Sequence, residues 1–278
     1  MPEGDTLHRL AGKLRPVLLG RAVEELVLAR SEAPHRAFVG SRVVTVEARG
    51  KNLLVHFDNG YALHVHLGMH GSVRAAPSNG PARLAPSVAF VLRVEGLAIV
   101  GRWAPKARLL KSRTLAVDPY FRTLGEDLLG EQFDPDDPIA RLRTRPRLPI
   151  GEAVMDQRLV AGIGNVYKSE VLFRQKVDPF APVASLDDAK LGAILADARM
   201  LMQYNVDGPA RAEGAPKVLP RMPMRTTRIG ALDPRKRLFV YRRKGMPCLT
   251  CGAAIEMKRQ GEQQRSTYYC PTCQDVAG

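Results

Sequence analysis

The sequence predicts a multidomain α+β chain: an N-terminal β-sandwich or barrel preceded by one helix, a helical middle, and a small C-terminal module organised by cysteines. Three observations predict it. Short β-like runs follow one another through roughly the first hundred residues. Past residue 130 the hydrophobic pattern turns helical. All four cysteines lie in the last 31 residues of a 278-residue chain, which is long enough for two or three structural units.

In chain order, Leu7, Leu10, Ala11, Leu14 and Leu18 recur at helical spacing and predict an amphipathic helix from Asp5 to Leu19. The runs RAVEELVLA, SRVVTVEA, KNLLVHF, YALHVHL, SVAFVLRV and LAIVGR predict strands, with Asp58-Asn59-Gly60 and Glu95-Gly96 as hairpin turns. Residues 74–87, RAAPSNGPARLAPS, read as a surface loop on their Pro, Gly and Ser content. The acids and prolines of DPDDPIARLRTRPRLP suit a junction leading into helices, of which DDAKLGAILADARMLMQY is the clearest. Residues 206–237 have little periodicity and read as a mobile loop. The domain limits that follow are 1–130, 131–237 and 238–278.

The formal net charge is +14, and a chain that basic usually meets a polyanion, most often nucleic acid. A generally solubilising surface is the plainer explanation, but the charge clusters. Residues 211–270 hold 14 Lys and Arg against 4 Asp and Glu, a segment that would attract phosphates. No run of about 18 apolar residues exists, so no membrane span is expected. MPEGDTLHRL has acids early and no apolar signal segment, so the expected location is the cytoplasm.

Cys248 and Cys251 form one C-x2-C pair, and Cys270 and Cys273 another, eighteen residues apart. That spacing suits a tetrahedral zinc site of four thiolates. Such a site is coordinatively closed, so one Zn2+ would hold shape and do no chemistry. Free thiols or a redox pair are the alternative, and two regular knuckles argue against it. Between the pairs, Lys258, Arg259 and Arg265 sit on a predicted hairpin that could enter a DNA groove or simply present a solvated basic face.

QRLVAGIGNVYKSEVLF carries a glycine turn at Gly162-Ile163-Gly164. A dinucleotide-binding reading fails, because the third glycine is missing and no clear strand precedes it. Helix, tight turn, helix fits better, with Asn165 as N-cap of a helix beginning at Val166. The exposed N–H groups there would suit a phosphate, although an αα-corner without ligand has the same pattern.

MPEGDT, RGKNLLVHF, HLGMHG, QRLVAGIGNVYKSEVLF and VYRRKGMPCLTCG…QRSTYYCPTCQ together resemble the formamidopyrimidine-DNA glycosylase / endonuclease VIII family, in order along nearly the whole chain. The resemblance implies an N-terminal β-sandwich with flanking helices, a helix-two-turn-helix domain and a C-terminal zinc-finger β-hairpin. It implies a base-excision-repair DNA glycosylase with abasic-site lyase activity, cutting the strand by β- or β,δ-elimination. Carried over position by position, it makes Pro2 the nucleophile once Met1 is removed and Glu3 the acid/base. Lys51, Asn165 and Arg265 become phosphate ligands, and Gly164 belongs to the same DNA-binding turn. Met69 would fill the gap left by an extruded base. The partner implied is damaged DNA, double-stranded with single strands left open, bound by a monomer in the bacterial cytoplasm or nucleoid.

The residue types suit that chemistry. A secondary amine gives a cationic iminium with the sugar C1′, an electron sink for elimination. An α-amino group ordinarily titrates near pH 8, and Lys51 and other cations nearby would lower that value. Taken singly, proline at position two is common, Glu3 could be a solvated carboxylate or complement a helix N-terminus, Lys51 a surface lysine and Met69 a core side chain. The family's Arg-Phe-Gly turn has no clear counterpart; Arg102 and Trp103 in VGRWAPKARLL are loose candidates. PEGDT points to the endonuclease VIII branch and oxidised pyrimidines, whereas Met69 points to the other branch. Residues 211–229 would fold over the extruded base. Two rival readings share the scaffold features: a catalytically inactive damaged-DNA binding protein, and a zinc-ribbon nucleic-acid module joined to an unrelated β domain.

Overall fold

The computed structural model describes residues 2–29, 35–78, 85–207 and 238–276, and the chain divides into two compact units, Met1–Thr123 and Leu124–Gly278. Met1, most of the loop expected at 206–237 and all of residues 211–229 lie outside the described residues. Among the described residues no helix is long and apolar enough to cross a membrane.

The first unit opens with α1 (Gly4–Leu18), whose Leu7, Ala11, Leu14 and Leu18 are all buried, as their spacing predicts. Eight strands follow: β1 (Val23–Leu28), β2 (Val43–Arg49), β3 (Asn52–Phe57), β4 (Tyr61–His66), β5 (Ser72–Pro77), β6 (Val88–Val94), β7 (Leu97–Arg102) and β8 (Lys106–Lys111). They form two antiparallel four-stranded sheets, ordered β1-β6-β7-β5 and β2-β3-β4-β8. Leu26, Phe90, Leu92 and Ile99 of the first join Val46, Leu53, Val55, Leu63 and Val65 of the second in one core. The pairing is that of a sandwich. At the β6–β7 hairpin, Glu95 (φ 34) and Gly96 (φ 78) both take the left-handed conformation that a tight two-residue turn demands.

Two strands of the first unit, β5 and β8, depart from the sequence expectation. Residues 72–77 pair with β7 although 74–87 read as loop. Pro77 is tolerated because β5 is an edge strand and ends there. β8, KARLLK, is the other edge strand and lacks a clean apolar alternation.

The outer face of the second sheet carries a buried polar chain, continued by the short helix α2 (Pro119–Arg122). Arg108 Nε donates to His64 Nδ1 (3.1 Å), and His64 Nε2 lies 2.9 Å from Asn52 Oδ1. The accepting Nδ1 places the imidazole proton on Nε2. Asn52 Nδ2 donates to the Arg49 carbonyl (2.9 Å) and to Tyr120 Oη (3.2 Å), so this chain spans the turn that bears Lys51. Burial, with help from Arg108, pushes His64 down to about 3.

The second unit holds β9 (Glu126–Asp127), α3 (Asp136–Arg143), α4 (Ile150–Ala153), β10 (Val160–Ala161), α5 (Asn165–Arg174), α6 (Asp188–Asp207), β11 (Glu256–Gln260) and β12 (Arg265–Tyr269). β9 and β10 pair in parallel, β11 and β12 as an antiparallel hairpin. Leu142, Ile150, Val154, Tyr167, Leu172, Leu191 and Leu195 share one helical core. Phe173 of α5 extends into a smaller cluster with Val240, Cys248, Ile255 and Cys270. α5 and α6 are further tied by a bidentate ion pair, Arg174 to Asp197, both contacts 2.8 Å.

The depressed histidines make the first unit acid-sensitive. His64 and His66 (the latter lowered to about 4, mainly by burial) stay neutral in the fold but protonate when unfolded below about pH 6.5. Their stabilising contribution is therefore complete above that pH and drains away as pH falls through 6 and 5, by at most about 1.4 kcal/mol per pH unit for each histidine. Urea unfolding at pH 7, 6 and 5 should show this slope. His64→Gln, able to accept from Arg108 and donate to Asn52, should flatten it by roughly half; an unaltered slope would clear His64 of the role.

Candidate nucleic-acid interface and metal centre

In the first unit the sequence-predicted residues gather at one end of the sandwich. Gly20 N donates to Val43 O (2.9 Å), and Arg15 donates to Val46 O (3.1 and 3.0 Å), so α1 runs antiparallel to β2. From Arg15 back to Glu3 the helix covers about 18 Å, and from Val46 the strand runs about 10 Å to its end at Arg49, where Gly50 and Lys51 turn the chain into β3. The Pro2–Glu3 terminus thus lies toward the sandwich end that bears the Lys51 turn. Pairing of Asn52 with His66, His66 with Lys106, and Ser72 with Arg102 brings the turns bearing Met69 and Trp103 to that end as well.

Glu3 is not a solvated carboxylate. It is 0% exposed at the N-cap of α1, its N–H donating to Thr6 Oγ1 (3.4 Å), with Asp5 equally buried beside it. Pro2 is partly exposed, as is Lys51. Met69 is 57% exposed, which rules out a core role. Gly68 (φ 59) sits so close to Pro105 that a Cβ would come within 2.7 Å of its ring, and the Met69 turn therefore packs on the segment after Trp103. Trp103 is 64% exposed at φ 53, its N–H donating to Ser87 O (2.8 Å), while Arg102 reaches Ser87 Oγ (2.9 Å).

His66 went unnoticed in HLGMHG. Its Nδ1 accepts from Gly68 N (3.1 Å), and burial followed by the charges of Lys51 and Lys106 lowers it to about 4. At neutral pH it is a neutral ring beside Lys51 whose Nε2 carries a proton. The only sequence signal was a polar residue at a strand end.

In the second unit, the glycine turn leads into a helix as expected, with two corrections: the short strand β10 (Val160–Ala161), not a helix, immediately precedes it, and its cap is displaced by one residue. The N-cap of α5 is Gly164, in extended conformation, and Asn165 is the first helical residue. The turn needs no side-chain cap because Gln157 straps it: Gln157 Oε1 accepts from Gly162 N (3.0 Å) and Nε2 donates to Met155 O and Ile163 O. Gly162, at φ 110, allows the reversal. Asn165 is 7% exposed, and its Oδ1 has no hydrogen-bond partner among the described residues. On the hairpin, Arg265 begins β12, with Nε and Nη2 on Gln263 Oε1 (3.0 and 2.7 Å). Arg259 is exposed, donating to Gln264 O (2.8 Å). Lys258 lies over the rings of Phe180 (5.6 Å) and Tyr269 (5.8 Å).

The four cysteines converge, all Sγ atoms within 4.8 Å of one another. Cys248 to Cys273 is 3.8 Å and Cys251 to Cys270 is 3.5 Å. A tetrahedron of thiolates around zinc has S···S edges of about 3.8 Å, so the set fits one structural zinc ion. Alone, the thiols cannot all ionise. The Ala253 N–H and neighbouring thiols hold Cys251 down to about 7, whereas burial pushes Cys270 and Cys273 up. A bound dication would reverse that balance.

The comparisons agree with this arrangement. The chain matches the formamidopyrimidine-DNA glycosylase N-terminal domain over residues 1–103, the H2TH domain of the same glycosylase over 124–212, and the zinc finger found in FPG and IleRS over 245–276. It is 38% identical to a probable endonuclease 8 2 of Streptomyces coelicolor, covering 99% of this chain and 94% of that one. It is 33% identical to the DNA-(apurinic or apyrimidinic site) lyase Nei2 of Mycolicibacterium smegmatis, over 100% of both chains. The fold is that of the Lactococcus lactis formamidopyrimidine-DNA glycosylase bound to DNA containing an abasic site, with a TM-score of 0.78 at 21% identity over 98% of this chain and 99% of the other. Its whole-length relatives and the three domains in their order show that this chain belongs to the formamidopyrimidine-DNA glycosylase and endonuclease 8 family.

Proposed function

We propose that this protein is a bifunctional DNA glycosylase and abasic-site lyase using the amine of Pro2. The observation that carries the reading is Glu3: a fully buried carboxylate beside the N-terminal proline, at the sandwich end that also bears Lys51. The capping box of α1 holds that carboxyl in place at the terminus, next to the proline nitrogen. The relatives named endonuclease 8 and abasic-site lyase support the activity.

With Met1 removed, the Pro2 nitrogen attacks C1′ of the damaged nucleotide. The Glu3 carboxyl protonates the ribose ring oxygen, the ring opens, and the base departs with a proton. The resulting iminium acidifies the C2′ hydrogen, and its loss expels the 3′ phosphate by β-elimination; in the β,δ course a second elimination then expels the 5′ phosphate. Lys51 and neutral His66 bind the backbone at that end. Asn165, Gly164 and Arg265 hold phosphates from the second unit, with Arg259 and Lys258 adding positive charge. Met69 enters the gap left by base extrusion. Cys248, Cys251, Cys270 and Cys273 would hold zinc, which would give the finger its shape and take no part in the steps. The substrate branch is oxidised pyrimidines, supported by the PEGDT terminus and the endonuclease 8 relatives, and the protein acts as a monomer with functional divisions at 1–130, 131–237 and 238–278.

Borohydride treatment on DNA containing an abasic site should trap a covalent adduct that maps to Pro2 and vanishes when Met1 is retained. Failure of processed protein to form it would sink the imine mechanism and leave a damaged-DNA binding protein. Glu3→Gln should lower base release by roughly 100-fold or more yet still be trapped on a preformed abasic aldehyde, which needs no ring opening. Cys251→Ser should lose zinc, measured by elemental analysis, and weaken DNA binding; full metal content would remove the site.

A further inference from the structure

Helix α5 is buried along residues 165–173, including two groups that the steps above do not use. Lys168 is 1% exposed and Glu170 0%. Both spend their hydrogen bonds on the cysteine-bearing segment. Lys168 Nζ donates to Thr267 Oγ1 (2.6 Å) and to the Ser266 carbonyl (3.1 Å). Glu170 accepts from the backbone of Phe239 (2.7 Å), Val240 (2.9 Å) and Tyr241 (2.8 Å). Ser266 and Thr267 are the two residues that follow Arg265 on β12. Thr267 Oγ1 in turn donates to Gln260 Oε1 (2.8 Å), and Gln260 is the cross-strand partner of Arg265, pinned by its Nε2 to Pro179 O (2.9 Å).

We infer that Lys168 is a positioning residue for DNA binding. It fixes the start of β12 to the helix that opens with Asn165, so that Asn165 and Arg265 meet the backbone at a set separation. Asn165 and Lys168 lie one turn apart on the same helix. A buried ammonium is desolvated at high cost and tolerates little slack in its acceptors, which makes it a stiff link. The inference rests on the proposed backbone contact of Arg265 and adds the group that aims it.

A double-mutant cycle on tight binding to duplex DNA with a tetrahydrofuran abasic-site analogue tests it. Arg265→Ala should weaken binding roughly tenfold and lower the slope of log affinity against log salt by about one. Lys168→Met should do nearly the same with zinc content retained, and should add little in the Arg265→Ala background, because it acts through that side chain. A merely structural lysine would cost the same factor in both backgrounds, and that result, or wild-type affinity and salt slope in Lys168→Met, overturns the inference. Should Lys168→Met lose zinc or unfold, Thr267→Val carries the same cycle, removing one lysine acceptor with little change of shape. If Arg265→Ala alone binds as wild type, the backbone contact is absent and the inference falls with it, an outcome distinct from an active Arg265 with an indifferent Lys168.

Discussion

Burial of the polar groups of α5 is the constraint on which the second unit depends. A helix buried on every side is ordinarily apolar throughout, yet α5 carries Asn165, Lys168, Ser169 and Glu170 into the interior. Each demands a partner. Lys168 and Glu170 find theirs on the chain that leads into and out of the cysteine knuckles, and Tyr268 N adds a long contact to Ser169 Oγ (3.4 Å). Three consecutive residues of α5, Lys168, Ser169 and Glu170, therefore bind the finger to the helix that opens with Asn165. Burial pushes Glu170 above the usual carboxylate range, and the three backbone N–H groups oppose that push.

The first unit solves a related problem at its functional end. The proposed role of Pro2 requires that the terminus be held, and terminal residues are usually the least ordered. Here Glu3 caps α1, and α1 is pinned to β2 by its apolar stripe and by Arg15. The Lys51 turn is held from the other face, through Asn52, His64 and Arg108. His64 works as a neutral ring because burial and Arg108 both disfavour its charge. Acceptance by Nδ1 and donation from Nε2 then follow from one tautomer.

Much of this was legible in the residues. Period-two runs marked six strands, the 3.6-residue stripe marked α1, and the cysteine spacing marked a site whose geometry the fold reproduces. Edge strands β5 and β8 escaped because an edge strand needs neither alternation nor freedom from proline. Asparagine suits an N-cap, so the sequence alone points to Asn165; Gln157 supplies the turn's hydrogen bonds from eight residues earlier, and glycine serves at the cap itself. Lys168 looked like any charged helix residue, and its burial depends on acceptors about a hundred residues away.

By itself the sequence determined the family, the order of its parts and the four-cysteine set, and it named the candidates for the proposed chemistry. These are local facts, set by spacing, side-chain type and backbone freedom within short stretches. Only the tertiary structure decided which of them are buried, which share an end of the sandwich, and which are aimed by others. Glu3 became more than a terminal carboxylate because packing took it out of water. Lys168 became more than a surface charge because β12 brought it the Ser266 carbonyl and the Thr267 hydroxyl. Desolvation and hydrogen-bond partnership belong to the assembled fold, and no window of sequence contains them.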